Sequence, residues 1–233
     1  MAEQARREYP SPDDHREALL RDGEALIRYL RPRLTPPPFE TLAEADIRDW
    51  NALSEPAALG AAASERQAAT LAAIYSRAGA PWLLFTQRAI GLPRHSGEIS
   101  FPGGRRDATD LTLAHTALRE TYEELALDIS RVRLLGALPA LYTSVSDFSV
   151  TTYVAWLGEG TPEMTPAAGE VAEVIEAPLL ALDDPAIFHE EIWTHGGFSH
   201  PVVFYDFGRH RIWGLTGRLL QDLFGLLPPR GAL

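Results

Sequence analysis

Leu19, Leu20, Leu26, Ile27 and Leu30 recur at three- and four-residue steps through a charged opening segment, which predicts an amphipathic helix over 14–34. The proline run TPPPFE, 35–40, stops it. An alanine-rich stretch, EPAALGAAASERQAA, reads as a helix cap or a loose connection. From about Gln67 the pattern changes. AATLAAIYS and PWLLFTQRA are apolar runs separated by RAGA, whose Gly79 marks a hairpin. IGLPRHSGEISFPGG, 90–104, holds two prolines and four glycines, and reads as a loop with a short strand around 99–101. Helix formers fill 111–127, with Leu118, Tyr122 and Leu125 expected to face a sheet. RVRLLGALPAL and SVTTYVAWLG read as strands, and EVAEVIEAPLLAL as a strand and a short helix from near Pro178. The last segment, from Pro201, gives a strand, a turn and an amphipathic helix from about Thr216, with Trp213 in the core. Strands interleaved with helices predict an α/β layered domain.

Composition narrows the function. The 233 residues are 45% hydrophobic, enough for a full core, and carry a formal net charge of −11. Such a chain does not wrap nucleic acid, which calls for a basic stripe. An anionic substrate would need a local source of positive charge. With no cysteine, thiolate catalysis, disulfides and Cys-bound zinc are excluded. The polar start lacks a signal-peptide core, no run of about 18 apolar residues exists for a membrane span, and RGAL is not a peroxisomal address. Cytoplasm is the expected compartment.

One helix face raises a question. Glu120, Glu123 and Glu124 stand at i, i+3 and i+4, where like charges repel. Two carboxylates a few ångströms apart cost about 4 kcal/mol at an effective dielectric of 20. A bound Mg²⁺ or Mn²⁺ reverses the sign, since hard cations take carboxylate, carbonyl and phosphate oxygens. Arg119 adjoins this face and offers to fix a carboxylate. Gly103 and Gly104 permit close backbone approach, and a glycine carbonyl supplies another oxygen. The alternative is a solvated acidic face. Chance gives Arg119 and the three glutamates at these spacings with a probability on the order of 10⁻⁵ per start. His115, on the same helix, is expected to be exposed.

Residues 104–127 resemble the Nudix box, G-x5-E-x7-R-E-U-x-E-E-x-G-U, with Arg119, Glu120, Glu123 and Glu124 matching its core. The spacing from Gly104 to Arg119 is one residue longer, Asp110 replaces the early glutamate, Ala126 replaces the final glycine, and Thr121 sits at an aliphatic position. The stretch LLFTQRAIGLPRHSGEISFPGG resembles the signature of the coenzyme A diphosphatase branch, with Arg88, Arg94, His95, Gly97, Phe101, Pro102, Gly103 and Gly104 matching, and Glu98 in place of glutamine. GEVAEVIEAPLLAL and RIWGLTGRLLQDL are similar to later segments of that branch.

The resemblance implies a Nudix fold: an α/β/α sandwich with a mixed β-sheet, the domain over 63–233, and a helical N-terminal extension over 1–62. It implies metal-dependent hydrolysis of a diphosphate bond in CoA or acyl-CoA, with Mg²⁺ or Mn²⁺. Gly104, Glu120, Glu123 and Glu124 are the expected metal ligands. Glu120, Glu124, Arg119 and Glu170 are the expected catalytic residues, and Arg88, Arg94, His95 and Gly103 the substrate contacts. Partners are a CoA-like nucleotide, no nucleic acid and no membrane, with a homodimer left open. The rivals are a Nudix hydrolase of another nucleotide derivative, a non-catalytic nucleotide-sensing module, and a structural protein with a solvated acidic helix.

Overall fold

The computed structural model describes residues 11–41, 66–91, 95–143, 147–195 and 198–230. The opening leucines lie on two helices rather than one. Helix α1 (Pro12–Arg21) starts from a capping box in which Ser11 and Asp14 exchange hydrogen bonds at 3.1 Å. Asp22 ends α1 in an extended conformation, and its carboxylate accepts from Ala25 N–H at 3.0 Å to start α2 (Gly23–Leu30). Continuous periodicity across 14–34 hides this break, because a capping aspartate costs the apolar pattern nothing. A 3-10 turn at Arg31–Arg33 leads to Thr35, which pairs with Ala137.

Strands β1 (Gln67–Arg77) and β2 (Ala80–Arg88) form the expected hairpin, with Arg77 opposite Ala80. Its two turn residues, Ala78 and Gly79, have φ of 53° and 83°, as a tight hairpin turn matched to strand twist requires. Then follow β3 (Ile99–Ser100), β4 (Gly103–Arg105), α3 (Leu113–Leu125), β5 (Arg133–Ala137), β6 (Leu141–Thr143), β7 (Phe148–Glu159), β8 (Val171–Pro178), α4 (Leu179–Leu182), β9 (Phe188–His195), β10 (Phe198–Phe207), β11 (His210–Trp213) and α5 (Gly214–Gly225).

An eight-stranded sheet runs β3-β2-β1-β7-β5, with β8 on β2, β4 on β1 and β6 on β7. The β1–β7 pairing is parallel and the others are antiparallel, so the sheet is mixed. A second sheet, β11-β10-β9, has three strands. Strands β4, β6, β9 and β11 are additions to the elements read from the sequence. Strand β9 escapes that reading because FHEEIWTH lacks a clean alternation and Ile192 faces out, 70% exposed. Trp213 is half-buried in a stack with Phe204 and Trp193 rather than deep in the core.

Alternation along β1 sends Ala69, Leu71, Ala73 and Tyr75 toward α3, and Ala72 and Ile74 to the opposite face. There they meet Leu20, Leu26, Ile27 and Leu30 from the N-terminal helices, Leu219, Leu220 and Leu223 from α5, and Val203 and Ile212 from the second sheet. The result is the α/β/α sandwich with a mixed sheet, and helices α1 and α2 share its core. The 62/63 boundary, the alanine-rich stretch before Arg66 and Arg94 lie outside the described residues. Among the described residues no helix is long and apolar enough to cross a membrane.

Candidate active site

Helix α3 starts at Thr112, whose hydroxyl accepts from His115 N–H at 3.3 Å while Thr112 N–H donates to His115 Nδ1 at 3.3 Å. The imidazole is thus part of the cap. It is 4% exposed, packed beside Phe39, and burial depresses its pKa to about 4. This corrects the expectation of an exposed His115. The buried stripe is Ala114, Ala117, Leu118, Thr121, Glu124 and Leu125, centred so that Tyr122 falls at its flank, 55% exposed, instead of on the sheet. Thr121, at the aliphatic position, satisfies its hydroxyl by donating to Ala117 O at 2.7 Å.

Arg119 organises the carboxylates. Its Nε and Nη2 donate to the two oxygens of Asp110 at 2.9 and 2.8 Å, and Nη1 donates to Glu120 and to Glu123, each at 2.9 Å. Nη2 also reaches the Arg105 carbonyl at 3.1 Å, tying the helix to the end of β4. Burial raises the proton affinity of Asp110, but Arg119, the Asp107 amide and the Thr116 hydroxyl outweigh it and hold the carboxyl below the usual range. Arg119 itself is raised, chiefly by Asp110.

Gly103 is required by the backbone around it, whereas at Gly104 a side chain would displace the Glu120 carboxylate. A Cβ on Gly103, at φ 151°, would lie 2.4 Å from Ala69 O; one on Gly104 would lie 2.4 Å from the Glu120 carboxyl carbon. Glu124 is 5% exposed and accepts from Gly103 N–H at 3.4 Å. Burial first, then the charges of Glu120 and Glu170, push it up to about 7 against the opposing pull of Gly103 N–H and Arg88. Burial also raises Glu120, with Arg119 opposing. Glu123 is half-exposed and turned to Arg119.

Glu170 is exposed on the loop preceding β8. Thr165 N–H donates to Leu125 O at 2.7 Å and Ala167 N–H to Glu124 O at 2.8 Å, so the loop satisfies carbonyls at the end of α3. Ala89 N–H donates to Glu170 O at 2.8 Å, bringing in the end of β2 and Arg88. Arg88 is half-buried, and its Nε is buried without a hydrogen-bond partner among the described residues. His95, at φ 56°, pairs through Nδ1 with Glu98 at 2.9 Å. The sequence expectation of Arg119 as the clamp for a single carboxylate understates it. Asp110 as its bidentate partner and the 165–167 loop as the strap on α3 both escaped it. The Asp107/Asp110 spacing was the signal for the first; nothing local marks the second.

The donor set suits a hard divalent ion. Glu120, Glu124 and the Gly104 backbone present oxygens, and two further carboxylates, Glu120 and Glu170, repel the charge on Glu124. Among the described residues no three acidic or imidazole side chains already converge as a cage, because Arg119 draws Glu120 and Glu123 to itself. Completing coordination takes water and substrate oxygens, the usual arrangement for magnesium.

A NUDIX domain model matches residues 65–196, which span this helix, both glycines and Glu170. The chain belongs to the Nudix family. Proteins described as uncharacterized Nudix hydrolase NudL, from Salmonella paratyphi B and Salmonella newport, are 37% identical over 160 residues, covering 69% of this chain and 82% of theirs. Among solved structures, a C. elegans Ap4A hydrolase binary complex aligns at TM-score 0.42 and 21% identity over 49% of this chain and 80% of that one. The NUDIX domain of Shewanella oneidensis NrtR complexed with ADP ribose aligns at 0.39 and 19% over 57% and 83%. At those values the structural likenesses carry no weight below. As a Nudix hydrolase the protein acts on a nucleoside diphosphate derivative, and Nudix enzymes generally need a divalent metal.

Proposed function

We propose that the protein hydrolyses the diphosphate bond of coenzyme A or an acyl-CoA, giving 4′-phosphopantetheine or its acyl form and adenosine 3′,5′-bisphosphate. The observation carrying this is the segment 88–104. Its residues match the CoA diphosphatase signature, and its last two glycines lie directly on Glu124 and Glu120. In this reading 63–233 is the hydrolase domain and 1–62 its helical extension.

Glu120, Glu123, Glu124 and the Gly104 carbonyl would hold Mg²⁺ or Mn²⁺. Such an ion would supply Lewis acidity toward water and charge neutralisation toward phosphate oxygens. A carboxylate, Glu120 or the exposed Glu170, orients the attacking water or accepts its proton. Arg119 fixes Glu120 and Glu123 in place against Asp110. Arg88, with an unspent buried Nε, and Arg94 and His95 from the preceding loop bind phosphate oxygens, and the Gly103 backbone lets them approach.

The test is incubation with Mg²⁺ and free CoA, acyl-CoA, ADP-ribose or NADH, with product masses read out. Adenosine 3′,5′-bisphosphate from CoA is the expected product. Turnover of ADP-ribose or NADH with CoA left intact would replace this reading by the runner-up, another nucleoside diphosphate derivative. That runner-up is favoured by Glu98, whose carboxylate engages His95 where the signature has a neutral glutamine. Binding without turnover would indicate a sensing module.

A further inference from the structure

Beside the acidic helix, at the ends of β1, β4 and β7, lies a cavity of about 340 Å³ with the opposite character. Arg66, Arg105 and Arg106 line it, with Phe148, Asp107 and Asp110. The guanidinium carbons of Arg66 and Arg105 stand 4.3 and 5.3 Å from the centre of the Phe148 ring. Arg106 is fixed: its Nη1 donates to Gln67 Oε1 at 2.8 Å, and Nη2 to the carbonyls of Asp110 and Leu111 at 3.2 and 3.0 Å.

The two carboxylates on the wall are already engaged. Asp107 Oδ1 accepts from the Thr109 N–H and hydroxyl at 2.9 and 2.8 Å. Asp110 accepts Arg119 on both oxygens, with Thr116 and the Asp107 amide on Oδ2. Three arginines against two aspartates leave the lining positive in a chain whose formal charge is −11. Guanidinium groups gathered about one ring repel each other, and an anion between them reverses that sign. Their planar forks match phosphate oxygens, and the ring backs them with an apolar face.

We propose that this cavity binds a phosphomonoester, held between Arg66 and Arg105 with Arg106 as a fixed third cation. The phosphate has two sources: a terminal phosphomonoester of the nucleotide substrate, or a separate phosphate ion. The first rests on the CoA reading above, since CoA carries a 3′-phosphomonoester that dephospho-CoA lacks.

Calorimetric titration of the full chain in EDTA separates them, using CoA, dephospho-CoA and inorganic phosphate against wild type, Arg66→Ala and Arg105→Ala, with thermal melts checking the fold. For a substrate phosphate, wild type binds CoA about 10-fold or more tightly than dephospho-CoA, and Arg105→Ala closes that gap. For a separate ion, CoA and dephospho-CoA bind alike, and inorganic phosphate loses about 10-fold in affinity in Arg105→Ala. Either result supports the cavity. Wild-type affinities retained for all three ligands in both variants would overturn it, as would a wild type that binds none of them. If Arg66→Ala fails to fold, Arg105→Glu, at an exposed position, carries the same comparison. CoA turnover with Mg²⁺ is scored separately. A chain that binds phosphate through Arg105 but leaves CoA intact keeps the cavity and discards the substrate.

Discussion

Among the described residues, one helix, α3, lies against one face of the large sheet. Against the other lie α1, α2, α5 and the three-stranded sheet. The α3 side buries Asp110, Thr112, His115, Thr116, Thr121 and Glu124, most of them held in named hydrogen bonds, with two glycines pressed against backbone and carboxylate. The opposite side is almost wholly aliphatic and aromatic. Its main polar device is Arg16, 8% exposed, whose fork meets Asp183 at 2.8 and 2.6 Å and whose Nη1 donates to Pro228 O at 2.7 Å. Polar groups out of water cost free energy unless partnered, so the α3 side gives up stability to hold charge in place. The other side supplies the burial that tolerates this.

Replacing groups on each side should therefore fail in different measurements. Glu124→Gln is expected to lower kcat by on the order of 10³-fold, with a melting temperature at neutral pH equal to or above that of the parent, since the buried charge is gone. Near-full turnover would remove Glu124 from the chemistry. Leu26→Ala, 1% exposed against the far face, is expected to lose about 2–5 kcal/mol in urea unfolding while the folded fraction keeps its kcat. A fall in kcat instead would mean that the two sides are coupled.

A pH profile sharpens the contrast. Folded His115 stays neutral down to about pH 4, whereas the unfolded imidazole takes up its proton near its ordinary value of 6.5. Its stability contribution is present above pH 6.5 and drains away as pH falls toward 4, by about 3 kcal/mol at most. Glu124 works in the opposite sense over an overlapping window, because its folded pKa is raised from 4.5 to about 7. The comparison is therefore His115→Leu against its parent, both in the Glu124→Gln background. An identical pH slope in the two proteins would refute the burial argument for His115. The smallest expected effect is at Ala126, left-handed at φ 50° and ψ 28° just past α3. Ala126→Gly should gain about 1 kcal/mol, read as a higher urea midpoint, by relieving the Cβ penalty.

Legibility in the sequence followed how local the physics is. The β1–β2 hairpin, α3 and its acidic face, and β7 and β8 were visible because alternation, turn residues and helical spacing act within a dozen residues. The bend at Asp22 was invisible, since a cap changes direction without changing apolar period. Strand β9 is fixed by its pairing with β10, such as Glu191 opposite Val202, and its own composition argues for a loop. His115 looked like a surface residue until Phe39, 76 positions earlier in the chain, was seen packed on its ring. Motif spacing picked out Arg119 and the glutamates, but their division of labour depends on Asp110 and Gly103, which only the fold brings to them.

The two hydrogen bonds from Thr165 and Ala167 to the last carbonyls of α3 make the strap and the helix end one lever arm. Glu170 therefore takes its position from two places, a helix whose last residue, Leu125, lies 45 residues upstream, and the end of β2 through Ala89. One residue inserted between 167 and 170 would swing that carboxylate out of register with both anchors.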